Sequence, residues 1–128
     1  MAMIRFHQEG KYMKLVVFNV GSALCVYAEH QTTRIVFDIG KGNNFSPVND
    51  FLLPLYEKRG EHRLKNRNNR YGISQLIVSH PHKDHISDIQ EFDKNFYAHL
   101  LTTPNSKSPN GNPQNINWRK ITTPDDPD

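Results

Sequence analysis

The stretch QLIVSHPHKDH at residues 75–85 joins an apolar run to three histidines and one aspartate. Leucine, isoleucine and valine in a short run predict a buried β-strand. The four polar side chains that follow, His80, His82, Asp84 and His85, can all bind a metal ion. Because a surface loop has no structural reason to concentrate these groups, the stretch predicts a metal centre at the end of a strand. The alternative is a polar loop whose histidines face solvent.

The spacing of the ligands predicts how they would be shared between ions. Residues two apart on an extended segment point the same way, so His80 and His82 can bind one ion together. Asp84 and His85 follow the turn and can face a second ion. Imidazole and carboxylate ligands suit zinc, and also manganese or iron. Such a pair of ions activates water for hydrolysis, and Asp84 is also a candidate catalytic residue because it could orient that water.

This histidine motif resembles that of the metallo-β-lactamase-fold metallohydrolases, and weaker similarity extends over residues 13–103. Residues 17–23 (VFNVGSA) look like the first hairpin of the competence-protein (DNA-uptake) branch, although Asn19 stands where that branch usually has aspartate. Residues 35–40 (IVFDIG) resemble a strand ending in an Asp-x-Gly turn. The resemblance implies that Asp38 supports the metal ligands without binding the metal itself. Residues 51–60 resemble the helix that precedes the metal strand.

The resemblance also implies a fold, a cofactor and a substrate. The expected fold is mixed α/β, the N-terminal half of an αββα sandwich, with two zinc ions in a complete site and a phosphodiester or nucleic-acid substrate. The family completes its site with a further histidine, a bridging aspartate and a last histidine. His99 is the only histidine after His85 in this sequence, and it comes too early in the chain to match the family's further histidine. We therefore expect residues 1–103 to be a partial domain that is poorly active alone, needing a missing C-terminal half or another chain.

Local patterns predict three strands, then alternating helices and strands. The polar hairpin loop at residues 30–33 separates the second strand from the third, and Pro54 should interrupt the first helix. Residues 104–128 are rich in proline and asparagine and should form a flexible or incomplete tail. The predicted strands are 13–20, 23–29, 34–39, 75–79 and 97–103, and the predicted helices are 47–58 and 86–94.

Composition restricts the class of protein. Hydrophobic residues make up 36% of the chain and the formal net charge is +3. A single cysteine, Cys25, excludes an internal disulfide and is expected to be a buried strand residue, so a reducing, cytoplasmic location is the default. No apolar run approaches the roughly 20 residues of a membrane helix, and the N-terminus shows no signal-peptide pattern.

The basic stretch at residues 58–70 is a second candidate site. It carries six lysines or arginines against one glutamate, and such a loop can contact phosphates. The alternative is a solvated insertion between helix and strand. Residues 58–70 contain no Phe, Tyr or Trp before Tyr71, and single-strand binding needs several such residues. Candidate substrate-binding residues are Lys41, Arg63, Lys65 and Arg67.

Two functions therefore remain open from the sequence. One is a metal-dependent hydrolase that acts on a phosphodiester or nucleic-acid-like substrate. The other is a non-catalytic half-domain or partner-binding module that binds metal weakly.

Overall fold

The structure is a computed structural model that describes residues 2–8, 11–21, 23–79 and 83–103. The predicted ligands His80 and His82, and the predicted tail at 104–128, lie outside these residues. Across the described ranges, no helix is both long enough and apolar enough to cross a membrane.

The described residues form one six-stranded sheet whose strands lie side by side in chain order. The first four strands are antiparallel neighbours, as expected for short hairpin connections. The fifth strand pairs parallel to the fourth, and the sixth pairs parallel to the fifth. The strands are β1 (Ala2–Gln8), β2 (Lys11–Val17), β3 (Cys25–His30), β4 (Thr33–Ile39), β5 (Tyr71–Ile77) and β6 (Phe96–Thr102).

Helical segments make the two parallel connections, as such crossovers require. A π-helical segment, Pro47–Leu52, runs into α1 (Leu53–Lys58) between β4 and β5. Two short helices, α2 (Lys83–Ile86) and α3 (Ile89–Asn95), lie between β5 and β6. The arrangement is mixed α/β, as predicted, and it places the carboxyl ends of β4, β5 and β6 at one edge of the sheet.

Proline sets the form of the first helical segment. Ser46 caps its start, since its hydroxyl accepts a hydrogen bond from the Asn49 N–H at 3.0 Å. The helix changes from π to α geometry at Leu53, and Pro54 occupies the first turn of α1. Because Leu52 and Leu53 are both helical and the Leu53 N–H donates to the Val48 carbonyl, α1 continues the π-helical turn, and Pro54 lacks the N–H that would extend this pattern. Helical backbone runs from Pro47 to Lys58 without a break, so the predicted interruption at Pro54 is found only as a change of helix type at Leu53.

Several predicted bounds were wrong. β1, which pairs with β2, was not predicted, because charged and polar residues interrupt its apolar ones. β5 begins at Tyr71 rather than at residue 75. The helix predicted from residue 86 is instead two helices that divide at Ser87 and Asp88.

The core lies between the sheet and the helices. β3 alternates buried and half-buried residues, and Cys25 is fully buried, as predicted. Burial raises the pKa of the Cys25 thiol, with the Asp88 and Asp38 carboxylates adding to the effect. At the start of β5 and β6, Tyr56 packs against Tyr71 and Phe96 with ring centroids 5.2 and 5.0 Å apart. These edge and tilted contacts are the favourable aromatic geometries.

A buried ionic group ties β3 to the end of α1. Glu29 is only 9% exposed. Its carboxylate accepts hydrogen bonds from the Tyr27 hydroxyl at 2.6 Å and from Arg59 Nη1 at 2.6 Å. Burial by itself would raise the pKa of Glu29, but these bonds and the charges of Arg59 and Arg34 outweigh it and hold the pKa below its ordinary value.

We predict that Glu29 makes stability depend on pH. Because its folded-state pKa is lower than the unfolded value of about 4.3, its contribution is present above that pH and is lost as the pH falls through the folded-state pKa. Glu29→Gln should therefore lower the free energy of unfolding by about 1–3 kcal/mol at pH 7, and the loss should shrink in acid. Urea denaturation across pH measures this. Glu57→Gln, an exposed position on α1, is the control, and an equal loss in both variants would contradict the assignment.

Candidate metal centre

Three of the predicted metal-site residues come together at the carboxyl ends of the parallel strands. Asp38 is the next-to-last residue of β4, and α2 contributes Asp84 and His85. Ser79 follows the end of β5 and lies between them. This edge is where open α/β sheets place ligand sites, because loops and helix starts converge there.

Asp38 is a buried carboxylate that hydrogen bonds hold in place. Its side chain is completely buried. One carboxylate oxygen accepts a hydrogen bond from the Ser79 backbone N–H at 2.7 Å, and the other accepts one from the Ser79 hydroxyl at 2.6 Å. The backbone of Asp38 has φ 57°, a left-handed conformation that aspartate adopts more readily than most residues. These bonds offset the cost of burying the carboxylate and hold it in one orientation.

Asp38 also contacts the imidazole of His85. The Nδ1 atom of His85 lies 2.9 Å from Asp38 Oδ2. An ionised carboxylate can only accept, so this contact favours the tautomer that carries its proton on Nδ1. The Nε2 atom then carries the lone pair that a metal ion would bind. Carboxylates hold ligating histidines in this way in metalloproteins.

The second nitrogen of His85 lies beside Asp84. Nε2 is 3.5 Å from Asp84 Oδ2, and the Asp84 side chain is 50% exposed. Two ligand atoms that each lie about 2.0–2.2 Å from one tetrahedral ion are about 3.3–3.6 Å apart. The spacing of these atoms therefore fits a shared ion. In the part of the chain that the structure describes, no group of three or more His, Cys, Asp or Glu side chains is placed to hold a metal.

Backbone hydrogen bonds dock the segment of α2 on the sheet. The Asp84 carbonyl accepts a hydrogen bond from the Leu24 N–H at 3.2 Å, and the Leu24 carbonyl accepts one from Gly40 at 2.9 Å. The N–H of Asp88 donates to the Ile39 carbonyl at 2.9 Å. A Cβ on Gly40 would collide with the Asp84 carbonyl oxygen and lie 2.7 Å from the Ala23 Cβ. Only glycine permits this close approach.

A cleft opens beside Asp84. Its volume is about 650 Å³, which lies within the range of small-molecule sites. Lys41 and Asp84 both line it, so the structure brings this predicted substrate-binding lysine to the candidate centre. The Lys41 backbone N–H donates to the Ser87 hydroxyl at 2.8 Å, which fixes the start of the glycine-containing loop. Asn19 lines the same cleft.

Asp88 supports the site, and its role was not predicted. It is 1% exposed, and its Oδ2 accepts hydrogen bonds from the Ser46 hydroxyl at 2.7 Å and the Val48 N–H at 2.9 Å. Burial raises its pKa, although these bonds act in the opposite direction. The sequence Asp88-Ile89-Gln90-Glu91 is a signal for a helix start. The side chain, however, makes no cap bond to α3 and instead binds the start of the preceding crossover helix.

The other predicted substrate-binding residues lie elsewhere. Arg63 stacks over Tyr71 and Arg67 over Tyr97, and both rings belong to the starts of parallel strands. Lys65 is exposed on the same loop. Since β5 runs for seven residues, these side chains lie about 20 Å from its carboxyl end.

His99 is also separate from the centre. It lines a second cavity of about 400 Å³ together with Arg34 and Tyr56. The structure therefore does not bring His99 to Asp38 and His85.

We predict that the close approach at Gly40 is required for stability. Gly40→Ala should lower the free energy of unfolding by about 1–3 kcal/mol, because the new methyl group displaces the backbone of Asp84. Gly42→Ala is the matched control, since its Cβ would meet only Val20 at 3.4 Å or more. Urea denaturation of both variants checks this. Equal stability of the two variants would show that the docking of α2 does not depend on Gly40.

Comparison with known proteins identifies no relative: no protein-family model, curated protein or solved structure matches the chain.

Proposed function

We propose that this chain forms one wall of a divalent-metal hydrolytic centre that cleaves a phosphodiester. The observation that carries the proposal is the contact of His85 Nδ1 with the buried Asp38 carboxylate, which leaves Nε2 3.5 Å from the Asp84 carboxylate. Asp84 and His85 would hold one ion, with zinc the preferred metal. His80 and His82 would supply a further pair of ligands from the same motif.

Each described residue has a separate role in this proposal. The metal would supply positive charge and lower the pKa of water at the centre. Asp38 is a positioning residue, since it holds the imidazole of His85 and does not itself reach the cleft. Asp84, which is half exposed and lines the cleft, can accept a hydrogen bond from the attacking water and orient it.

Lys41 favours a phosphodiester over a neutral substrate. Lys41 lines the cleft that Asp84 also lines, and its ammonium group could neutralise charge on a phosphoryl oxygen. The adjacent loop contributes Asn43 and Asn44 to the same cleft. Their amide groups can donate hydrogen bonds to phosphate oxygens.

The proposal includes the ancestry of the fold. A hairpin meander followed by parallel β4, β5 and β6, with ligands at their carboxyl ends, is compatible with the N-terminal half of a metallo-β-lactamase αββα sandwich. On this proposal the opposite wall, with a further histidine and a bridging aspartate, comes from additional sequence or another chain. The chain by itself should then bind metal weakly and turn over slowly.

Zinc binding tests the role of Asp38. Asp38→Asn keeps the shape of the side chain and tolerates the left-handed backbone, but it removes the negative charge behind His85. We expect it to lower zinc affinity about 10–100-fold, and we expect His85→Gln to lower it at least as much. Isothermal titration calorimetry measures both, and thermal melting without metal confirms that the variants fold.

His62→Gln is the matched control, because His62 is exposed and lies outside the cleft; it should bind zinc as the wild type does. The hydrolysis of bis(p-nitrophenyl) phosphate then separates the two functions. Loss of activity in Asp84→Asn, with a raised KM in Lys41→Gln, supports the hydrolase. Zinc binding without any turnover would instead support the non-catalytic module. This outcome applies also when a longer protein or a second chain provides the further histidine and the bridging aspartate.

A further inference from the structure

The six-stranded sheet has one face that packs against helical residues. Tyr27 and Val36 are register neighbours on this face, and both are fully buried. Phe51 of the π-helical segment packs on Tyr27, with the ring centroids 5.6 Å apart. The guanidinium carbon of Arg34 lies 4.7 Å from the centroid of the Tyr56 ring in α1. The helical connection between β4 and β5 therefore lies on this side of the sheet.

The opposite face of the sheet carries an apolar surface. Strand side chains alternate between the two faces, so the residues beside Tyr27 and Val36 point away from the helices. Phe37 is 38% exposed and Leu100 is 47% exposed, and their apolar neighbours are partly exposed. We call this surface the outer sheet face, and it comprises Val17, Val26, Ile35, Phe37, Ile77 and Leu100.

The strand register makes the outer sheet face continuous. Val26 pairs with both Val17 and Phe37, which lie on the strands to either side of it. Phe37 pairs in turn with Ile77 on β5. One apolar row therefore crosses four strands. Contiguous exposed apolar surface of a few hundred Å² commonly marks an interaction site.

A second copy of the chain is too small an occupant for this face. Six strands about 4.8 Å apart, each presenting about five residues of 3.4 Å, give a face of roughly 500 Å². Two such faces would bury about 1,000 Å² in total, below the roughly 1,200–2,000 Å² of stable interfaces. A covalently linked segment needs less contact area, because the linkage holds it at an effective concentration of about millimolar.

The sequence supplies such a segment. Residues 104–128, which the structure does not describe, carry their only large hydrophobic side chains at Ile116, Trp118 and Ile121. In an extended segment, residues 116 and 118 point to the same side while Asn117 and Arg119 point to the other. Residues 116–121 can therefore present an apolar side to a surface and keep a polar side in water.

The connection is long enough to bring this segment to the outer sheet face. β6 ends at Thr102, which pairs with Ile77 of that face. Twelve residues, 104–115, precede the segment, and a chain of this length can extend to about 40 Å. Phe37 lies two strands from β6, a distance of about 10 Å.

We propose that residues 116–121 of this chain dock on the outer sheet face, with Trp118 as the anchoring side chain. Tryptophan has the largest apolar area of any residue, and docking removes both this ring and the exposed Phe37 and Leu100 side chains from water. The proposal goes beyond the hydrolytic centre, because docking requires neither metal nor turnover.

Tryptophan fluorescence tests the docking directly, since Trp118 is the single tryptophan of the chain. In EDTA, the wild type should emit at a shorter wavelength than the urea-unfolded protein, and acrylamide should quench it less efficiently. Phe37→Asp places an unpaired charge in the contact and should shift the docking equilibrium at least about tenfold toward the undocked form. Its emission should move to longer wavelength, and quenching should increase.

Gln90→Asp is the matched control, because it adds the same charge at an exposed position on α3. It should keep the emission and quenching of the wild type. If Phe37→Asp loses the circular dichroism of the wild type, Leu100→Asp repeats the test at the most exposed residue of the face.

Trp118→Ser tests the same contact from the other side. Removal of the anchor should uncover the outer sheet face and increase binding of the hydrophobic dye ANS, while circular dichroism stays that of the wild type. An undocked tryptophan would give the opposite result, because its removal would leave dye binding unchanged or lower.

Four outcomes would overturn the inference. They are a wild-type Trp118 emission equal to that of the unfolded protein, equal emission of Phe37→Asp and Gln90→Asp, no increase in dye binding by Trp118→Ser, and a dimer by light scattering whose Trp118 emission shifts on dilution. The last result would assign the outer sheet face to a second copy of the chain.

Discussion

The buried carboxylate of Asp38 is the constraint on which the candidate centre depends. It accepts hydrogen bonds from the backbone and hydroxyl of Ser79 and contacts His85 Nδ1. Burying a charged group costs free energy unless hydrogen bonds of this kind compensate it. The same bonds that offset this cost join the ends of β4 and β5 to α2. Stability and ligand orientation are therefore supplied by one group.

The sheet separates two kinds of chemistry. At the carboxyl ends of the parallel strands, Asp84 and Lys41 border a cleft, and the His85 imidazole lies between the Asp38 and Asp84 carboxylates. At the amino ends, arginines are stacked on tyrosines and are ordered by a closed loop. The parallel pairing of β5 and β6 produces this polarity, because both strands start at one edge and end at the other.

The strands that could be predicted from sequence are those with clear apolar patterns. β3 and β4 could be predicted because each contains a short run of apolar and β-branched residues, whereas charged and polar residues interrupt the apolar ones in β1, which pairs with β2. In the site, Asp84 and His85 were found from one contiguous motif, and Asp38 only from a resemblance. Asp88 and the Tyr97 ring could not be assigned roles, because their contacts join segments 40 and 30 residues apart.

The tautomer of the neutral His85 ring is the most direct test of whether Asp38 orients this imidazole. In metal-free protein, a long-range ¹H–¹⁵N spectrum distinguishes the two tautomers of each neutral histidine. We predict that His85 carries its proton on Nδ1, where it donates to Asp38, and that Asp38→Asn reduces this preference. A His85 ring protonated on Nε2 would contradict this assignment, since the lone pair would then face the Asp38 carboxylate and not Asp84.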